Sequence, residues 1–216
     1  MHIGKAGGTA IKTALTPLAE SGTYSVEMHR HKFTLARLPE GDYYFFALRD
    51  PVQRFVSGFY SRQRKGRPRY FREWSEDERI HFERFASAND LAVALSSDSD
   101  EERLAAEHAM QTMVHLSSVW KWFGDEETFW AKEPYLLKVL FVDRLDEDFA
   151  DLVERLGLGS FHPVLPHDPL RSHRAPSHPD PLTDEAVTNL RRWYKRDYEF
   201  LDLCRDLEAR RAGEGP

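Results

Sequence analysis

Six residues in a row, Tyr43-Tyr44-Phe45-Phe46-Ala47-Leu48, carry no charge and are rich in aromatic rings. A strand with one wet face alternates apolar and polar residues. A continuous run of this length predicts a strand buried on both faces, which belongs in a parallel sheet covered by helices on either side. The run stops at Arg49-Asp50-Pro51. Pro51 suits the first turn of a helix, where its missing N–H costs nothing, and Val52, Phe55, Val56, Phe59 and Tyr60 then recur at helical spacing. A strand end that meets a helix start is where ligand-binding residues gather in such folds.

The same junction is expected at the beginning of the chain. Gly4-Lys5-Ala6-Gly7-Gly8-Thr9 runs into the helical pattern Ala10-Ile11-Lys12-Thr13-Ala14-Leu15. Glycines let backbone N–H groups turn around an anion with no Cβ in the way, and the following helix adds the positive end of its dipole. The reading is a phosphate cradle, with an ordinary N-capped turn as the alternative. Lys5 precedes Gly7 and Gly8, whereas the loop of nucleotide hydrolases places its lysine after the glycines, so ATP is not the default ligand. Only Met1, His2 and Ile3 precede the loop, which leaves either a stub of a first strand or a chain that begins late.

Further along, Tyr24–Met28 is expected as a short strand and Phe33–Leu38 as a helical turn closed by Pro39-Glu40-Gly41-Asp42. Ser61–Trp74 has loop composition, with Arg62, Arg64, Lys65, Arg67, Arg69 and Arg72 around Gly66 and Pro68. Helices are expected at about 76–95 and 101–123, from the recurrence of Ile80, Phe82 and Phe85 and then of Leu104, Ala105, His108, Met113 and Leu116. Together they form a helical insert. A second strand, Tyr135–Val142, precedes a helix Leu145–Leu156 that Gly157 and Gly159 end. Phe161–Pro181 is a Pro- and His-rich ordered or lid-like loop. Thr183 caps a long last helix with Leu190, Trp193, Tyr194, Tyr198, Leu201 and Cys204 on its core face, and residues 208–216 form a polar tail. The order of elements predicts one α/β domain, residues 1–216, around a short central parallel sheet.

Composition narrows the function classes. A length of 216 residues with 41% hydrophobic content suits a globular domain with a full core. A net charge of −6 argues against general nucleic-acid binding. The single Cys204 excludes an intrachain disulfide and fits a reducing compartment, and the absence of a long apolar stretch or signal-peptide core leads to the expectation of a soluble cytoplasmic protein, with no membrane partner.

His2-Ile3-Gly4-Lys5-Ala6-Gly7-Gly8-Thr9 resembles the 5′-phosphosulfate loop of sulfotransferases, and Arg49-Asp50-Pro51 with Ser57 resembles their 3′-phosphate motif. The stretches Arg49–Tyr60 and Asn189–Tyr198 are similar to the carbohydrate-type, heparan-sulfate 2-O-like enzymes and their bacterial relatives. Gly4 departs from the proline usual there. The resemblance implies a P-loop-type three-layer α/β fold and the co-substrate 3′-phosphoadenosine 5′-phosphosulfate (PAPS), with no metal. It implies that Lys5 stabilises the leaving oxygen, that Gly7, Gly8, Thr9 and Ala10 hold the 5′-phosphate, and that Arg49 and Ser57 hold the 3′-phosphate. Arg174 matches a loop that closes over the nucleotide. A hydroxyl acceptor, such as a carbohydrate, needs a base near neutral pH, and His31 fits the position of the family's catalytic histidine better than His29.

Three rival readings stand beside this one. They are a kinase-like enzyme using Mg-ATP, a polyanion-binding module built on residues 62–72, and a metal site of His29 and His31 with His167 or His173, for which no Cys or Glu completes a four-ligand set. The basic run, with Tyr70 and Phe71, is equally a candidate surface for an anionic acceptor.

Overall fold

The computed structural model describes residues 1–213 apart from Thr23, Arg30, Arg69, His162 and residues 167–180. The chain is α/β and mostly helical, and it divides into two compact units. The first comprises Met1–Arg49, Val119–Arg174 and Phe200–Pro216; the second comprises Asp50–Ser118 and Ala175–Glu199.

The first unit holds the sheet. Strands β1 (Tyr44–Leu48) and β2 (Leu136–Phe141) pair in parallel, with Phe46 opposite Val139 and Leu48 opposite Phe141. Phe46, Ala47 and Leu48 are buried in succession, as are Lys138 through Phe141, which is the double burial that continuous apolar runs foretell. The far edge of β2 is closed by carboxylates. Val139 N–H donates to Glu208 at 2.9 Å and Phe141 N–H to Asp148 at 2.7 Å. Lys138, on the same strand and buried, lies 3.2 Å from Glu208 and 2.5 Å from Asp151, so the charges that satisfy the strand edge are themselves paired. Burial raises the pKa of Asp148 despite that company.

Among the described residues, five α-helices belong wholly or partly to this unit: α1 (Gly8–Glu20), α6 (Trp120–Phe123), α7 (Glu126–Lys132), α8 (Leu145–Arg155) and the later turns of α10 (Lys195–Gly213). Phe200 of α10 is the hub of the core here, with ring centroids 4.5 Å from Phe123, 4.9 Å from Trp120 and 5.0 Å from Phe129. The helix runs on to Gly213 where a fraying tail from 208 is expected. Glu208 is held by β2, and Leu207 beside it is buried.

The second unit is helical. It contains α2 (Pro51–Gln63), α3 (Glu76–Arg84), α4 (Ala88–Ala94), α5 (Asp100–Thr112), α9 (Asp184–Trp193) and the start of α10. Its core joins Phe55, Phe59, Phe82, Leu91, Met110 and Leu190. The expected helix 76–95 is two helices, because Ser87 starts a second one with a reciprocal capping box to Asp90, as Ser75 does with Glu78. The expected helix 101–123 ends at Thr112, and α6 falls in the first unit. Ile80 and Leu104, expected in the core, are exposed; Ala106, Ala109 and Met110 supply the buried face of α5 instead. Trp193, also expected in the core, is exposed at the end of α9, while Tyr194 is buried and donates its hydroxyl to Leu116 O at 2.5 Å.

No strand forms at 24–28 or at 1–3. Met1 N donates to Phe45 O at 2.6 Å and Ile3 is buried, so the first residues run beside β1 without extending its ladder. A small cavity is lined by Met1–Ile3 and Glu27–His29, together with Phe45 and Ala47.

Candidate functional site

The loop ahead of α1 takes the shape its glycines allow. Gly7 has φ 77° and is the residue that caps α1, with its carbonyl accepting from Ala10 N at 3.0 Å. A Cβ there would enter the left-handed region and also sit 3.0 Å from Leu145. Gly8 is required for a different reason, since a Cβ on it would stand 2.1 Å from the His2 ring. No side chain caps this helix and no acidic residue occupies its first turn, so the positive end of the α1 dipole is uncompensated by its own sequence. Thr9 lies in that first turn, its carbonyl accepting from the Thr13 hydroxyl at 3.0 Å.

Lys5 is itself left-handed, with φ 68°. For a residue with a Cβ that conformation costs about 1–2 kcal/mol, and strain of this kind collects at sites that need a side chain aimed in one direction.

His2, packed over Gly8, connects the loop to His31. The two imidazole centroids are 4.0 Å apart, and His31 Nδ1 lies 3.4 Å from His2 O. With Nδ1–H donating to that carbonyl, His31 is the tautomer whose Nε2 lone pair is open to take a proton. Desolvation lowers the His31 pKa, the His2 carbonyl raises it, and the positive charges of Lys121 and Lys5 lower it again, leaving it below its ordinary value. Lys5, His2 and His31 thus form one electrostatic neighbourhood within the first unit.

His29 is placed differently. Its ring stacks on Phe33 at 3.5 Å, and its Nε2 is 3.6 Å from Glu27. Its pKa is also lowered, mainly by desolvation.

Arg49 ends the segment after β1 and is half-buried. Asp50 turns to the second unit, where it accepts from Gln53 N and from the Tyr198 hydroxyl, both at 2.9 Å, and so caps α2. Burial beside that carboxylate pushes the Tyr198 phenol up to about 12. Ser57 lies half-buried on α2. Arg174, His167 and His173 lie outside the described residues. Among the described residues no group of three or more His, Cys, Asp or Glu side chains is placed to hold a metal ion, and no helix is long and apolar enough to cross a membrane.

The basic stretch 62–72 divides into buried and exposed parts. Arg62 is 2% exposed and forms a two-pronged pair with Glu78 at 2.6 and 2.7 Å, with further bonds to the carbonyls of Arg72 and Glu73. It is a structural arginine that secures the turn after α2. Lys65 pairs with Glu73 and lies 4.5 Å from the Trp74 ring. Arg67 is exposed above Phe71 at 5.1 Å. The basic loop is therefore partly neutralised by acids of the same unit.

Two residues that sequence reasoning passes over enter the site here. Trp122 Nε1 donates to His31 O at 2.9 Å, and Lys121 acts on the His31 charge. They are ninety-odd positions away along the chain, and neither sits in a motif.

A family model described as the sulfotransferase family matches residues 1–203. No curated protein and no solved structure matches the chain.

Proposed function

Because the chain belongs to the sulfotransferase family, we propose that its sulfuryl donor is PAPS and that the acceptor is a hydroxyl of a carbohydrate or small molecule. On this reading residues 1–216 are one sulfotransferase-like domain, with a helical insert at about 76–123, and the two strands are the centre of a P-loop-type three-layer fold. A reducing, cytoplasmic setting goes with the single cysteine, which is free and buried.

The observation that carries the proposal is Lys5, held at φ 68° immediately before the Gly7-capped helix and within electrostatic reach of His31. Sulfuryl transfer, like phosphoryl transfer, is chiefly a matter of alignment and charge stabilisation. The acceptor oxygen forms a bond to sulfur as the bond from sulfur to the 5′-phosphate oxygen breaks, and the hydroxyl proton passes to His31 Nε2. Lys5 stabilises the negative charge that develops on the leaving oxygen. Gly7, Gly8 and Thr9 offer N–H groups at the start of α1 to the 5′-phosphate, together with the Thr9 hydroxyl. Ala10, assigned to the same phosphate, already donates its N–H to Gly7 O and contributes less. Arg49 is assigned to the 3′-phosphate for its fork of donors. Ser57, in the second unit, and Arg174 enter from the sequence pattern alone. Between the two histidines, His31 is favoured because His29 is committed to Phe33 and Glu27.

The test is transfer from PAPS to a panel of hydroxyl acceptors, followed as release of 3′,5′-phosphoadenosine. His31→Ala is expected to lower turnover by about 10²–10⁴-fold, the usual contribution of a general base, with affinity for 3′,5′-phosphoadenosine unchanged. In the unsubstituted protein the acid limb of kcat/KM, which reports the free enzyme, falls below the ordinary histidine range, since the lowered pKa keeps His31 neutral as pH drops. Unchanged turnover in His31→Ala removes His31 from the reaction and returns the role to His29.

A further inference from the structure

Four residues make up the helix α6, and one face of it is buried: Trp120, Trp122 and Phe123 are 9%, 2% and 0% exposed. Two features of the helix are not explained by packing. Trp122, deep in the core, sends its only polar atom to the backbone of an exposed loop residue, His31, at 2.9 Å. Lys121 is exposed, its Nζ lying 4.3 Å from the Trp122 ring, so the ammonium is kept close to the point where Trp122 meets the His31 segment.

We propose that the dipeptide Lys121-Trp122 is a positioning element for the transfer site, in which Trp122 fixes the His31 backbone through its indole N–H and Lys121 sets a second positive charge beside that imidazole. The inference rests on the reading of His31 as the base. An imidazole on a loop without regular structure needs an anchor if its Nε2 is to meet the acceptor hydroxyl repeatedly in one geometry, and a bond from a buried tryptophan provides one. The side-chain end is fixed separately, by His2 O at Nδ1.

Among the described residues, the charges that act on the imidazole are positive. From neighbouring elements come the His2 ring, Lys5 ahead of α1 and Lys121 of α6, with Lys121 the stronger of the two lysines in its effect; His29 and Lys32 stand on the same segment. Both lysines favour the neutral imidazole, the form that can accept a proton, and both attract an anionic donor. Lys5 is also needed at the leaving oxygen, and Lys121 lets the tuning of His31 persist while Lys5 is engaged there.

The experiment uses the full chain and two readouts. In the ligand-free protein the His31 ring C–H signal, assigned by its loss in His31→Ala, is titrated by NMR in the unsubstituted protein, in Lys121→Gln and in Trp122→Phe. Lys121→Gln should raise the His31 midpoint while that of His81, on α3, stays in place. Trp122→Phe keeps an aromatic ring but removes the donor, and should shift the His31 signal and lower kcat about tenfold or more, the scale of effect that a displaced catalytic group produces, with KM for PAPS unchanged. An unmoved His31 midpoint in Lys121→Gln overturns the role of Lys121. An unmoved His31 signal with full kcat in Trp122→Phe overturns that of Trp122. If Trp122→Phe fails to fold, Trp122→His, whose ring nitrogen can reach towards the same carbonyl, should restore the His31 signal; a folded Trp122→His lacking it counts against the contact. Should the His31 signals move as stated while His31→Ala keeps full turnover, the positioning contact stands and the assignment of the base falls.

Discussion

Lys5→Gly should make the protein more stable and nearly inactive. The lysine sits at φ 68°, a conformation that costs a residue with a Cβ about 1–2 kcal/mol and glycine little. Relief of about 1 kcal/mol raises the midpoint of thermal unfolding by about 2–4 °C in a chain of this size. The same substitution removes the cation from the leaving oxygen, and loss of one such stabilising group typically costs about 10²–10³-fold in turnover. Lys5→Ala separates the two effects: it keeps the Cβ and therefore the strain, so its melting point should stay near that of the unsubstituted protein while turnover falls equally far. Scanning calorimetry and PAPS turnover on the three proteins check this. A gain in stability without loss of turnover would mean that the strained lysine serves no reaction.

The largest effect on stability is expected at Asp197. Arg54, on α2, is completely buried. Its guanidinium reaches Ser117 O, lies 3.7 Å from Asp197 and stands 5.9 Å from the Tyr194 ring. Asp197 also accepts from the Ser118 hydroxyl. A buried pair of this kind contributes little over an apolar pair of equal volume, but removing one partner strands the other in a medium that cannot solvate it. Asp197→Ala should therefore destabilise the second unit by about 3–5 kcal/mol, seen as a lower urea midpoint and as loss of hydrogen-exchange protection in α2. The double variant Arg54→Met, Asp197→Leu should recover much of that loss, because no charge is left behind. A cost below about 1 kcal/mol for Asp197→Ala would mean that water reaches Arg54 and that the pair is not buried in solution.

These two residues also mark how far the sequence is informative. Strands β1 and β2 announce themselves because an apolar run needs no knowledge of its partner to be read as buried. Lys5, Gly7 and Gly8 were legible as a turn that leads into a helix, since the spacing of glycines is local. The His2 ring over Gly8 was not, because it depends on a close approach that only the folded chain creates. The burial of Arg62 depends on Glu78, sixteen residues on, and in the sequence it looks like one more cation in a basic loop. The break between α3 and α4 was encoded in Ser87 and Asp90, a capping pair that the stronger apolar periodicity concealed. A strand at 24–28 fits the composition, but a strand forms only where a neighbouring backbone pairs with it, and none pairs with these residues. The Trp122 contact to His31 has no local trace at all.

If the Lys5 loop belongs to a PAPS site, the protein binds the desulfated nucleotide 3′,5′-phosphoadenosine. Calorimetric titration of the 216-residue chain with 3′,5′-phosphoadenosine, set against ATP with Mg²⁺, checks this. Saturable binding of 3′,5′-phosphoadenosine is expected, which needs no metal and weakens in Arg49→Ala, with a stabilisation of about 2.7 kcal/mol at a hundred times the dissociation constant. Binding of ATP only in the presence of Mg²⁺, with none of 3′,5′-phosphoadenosine, would contradict it.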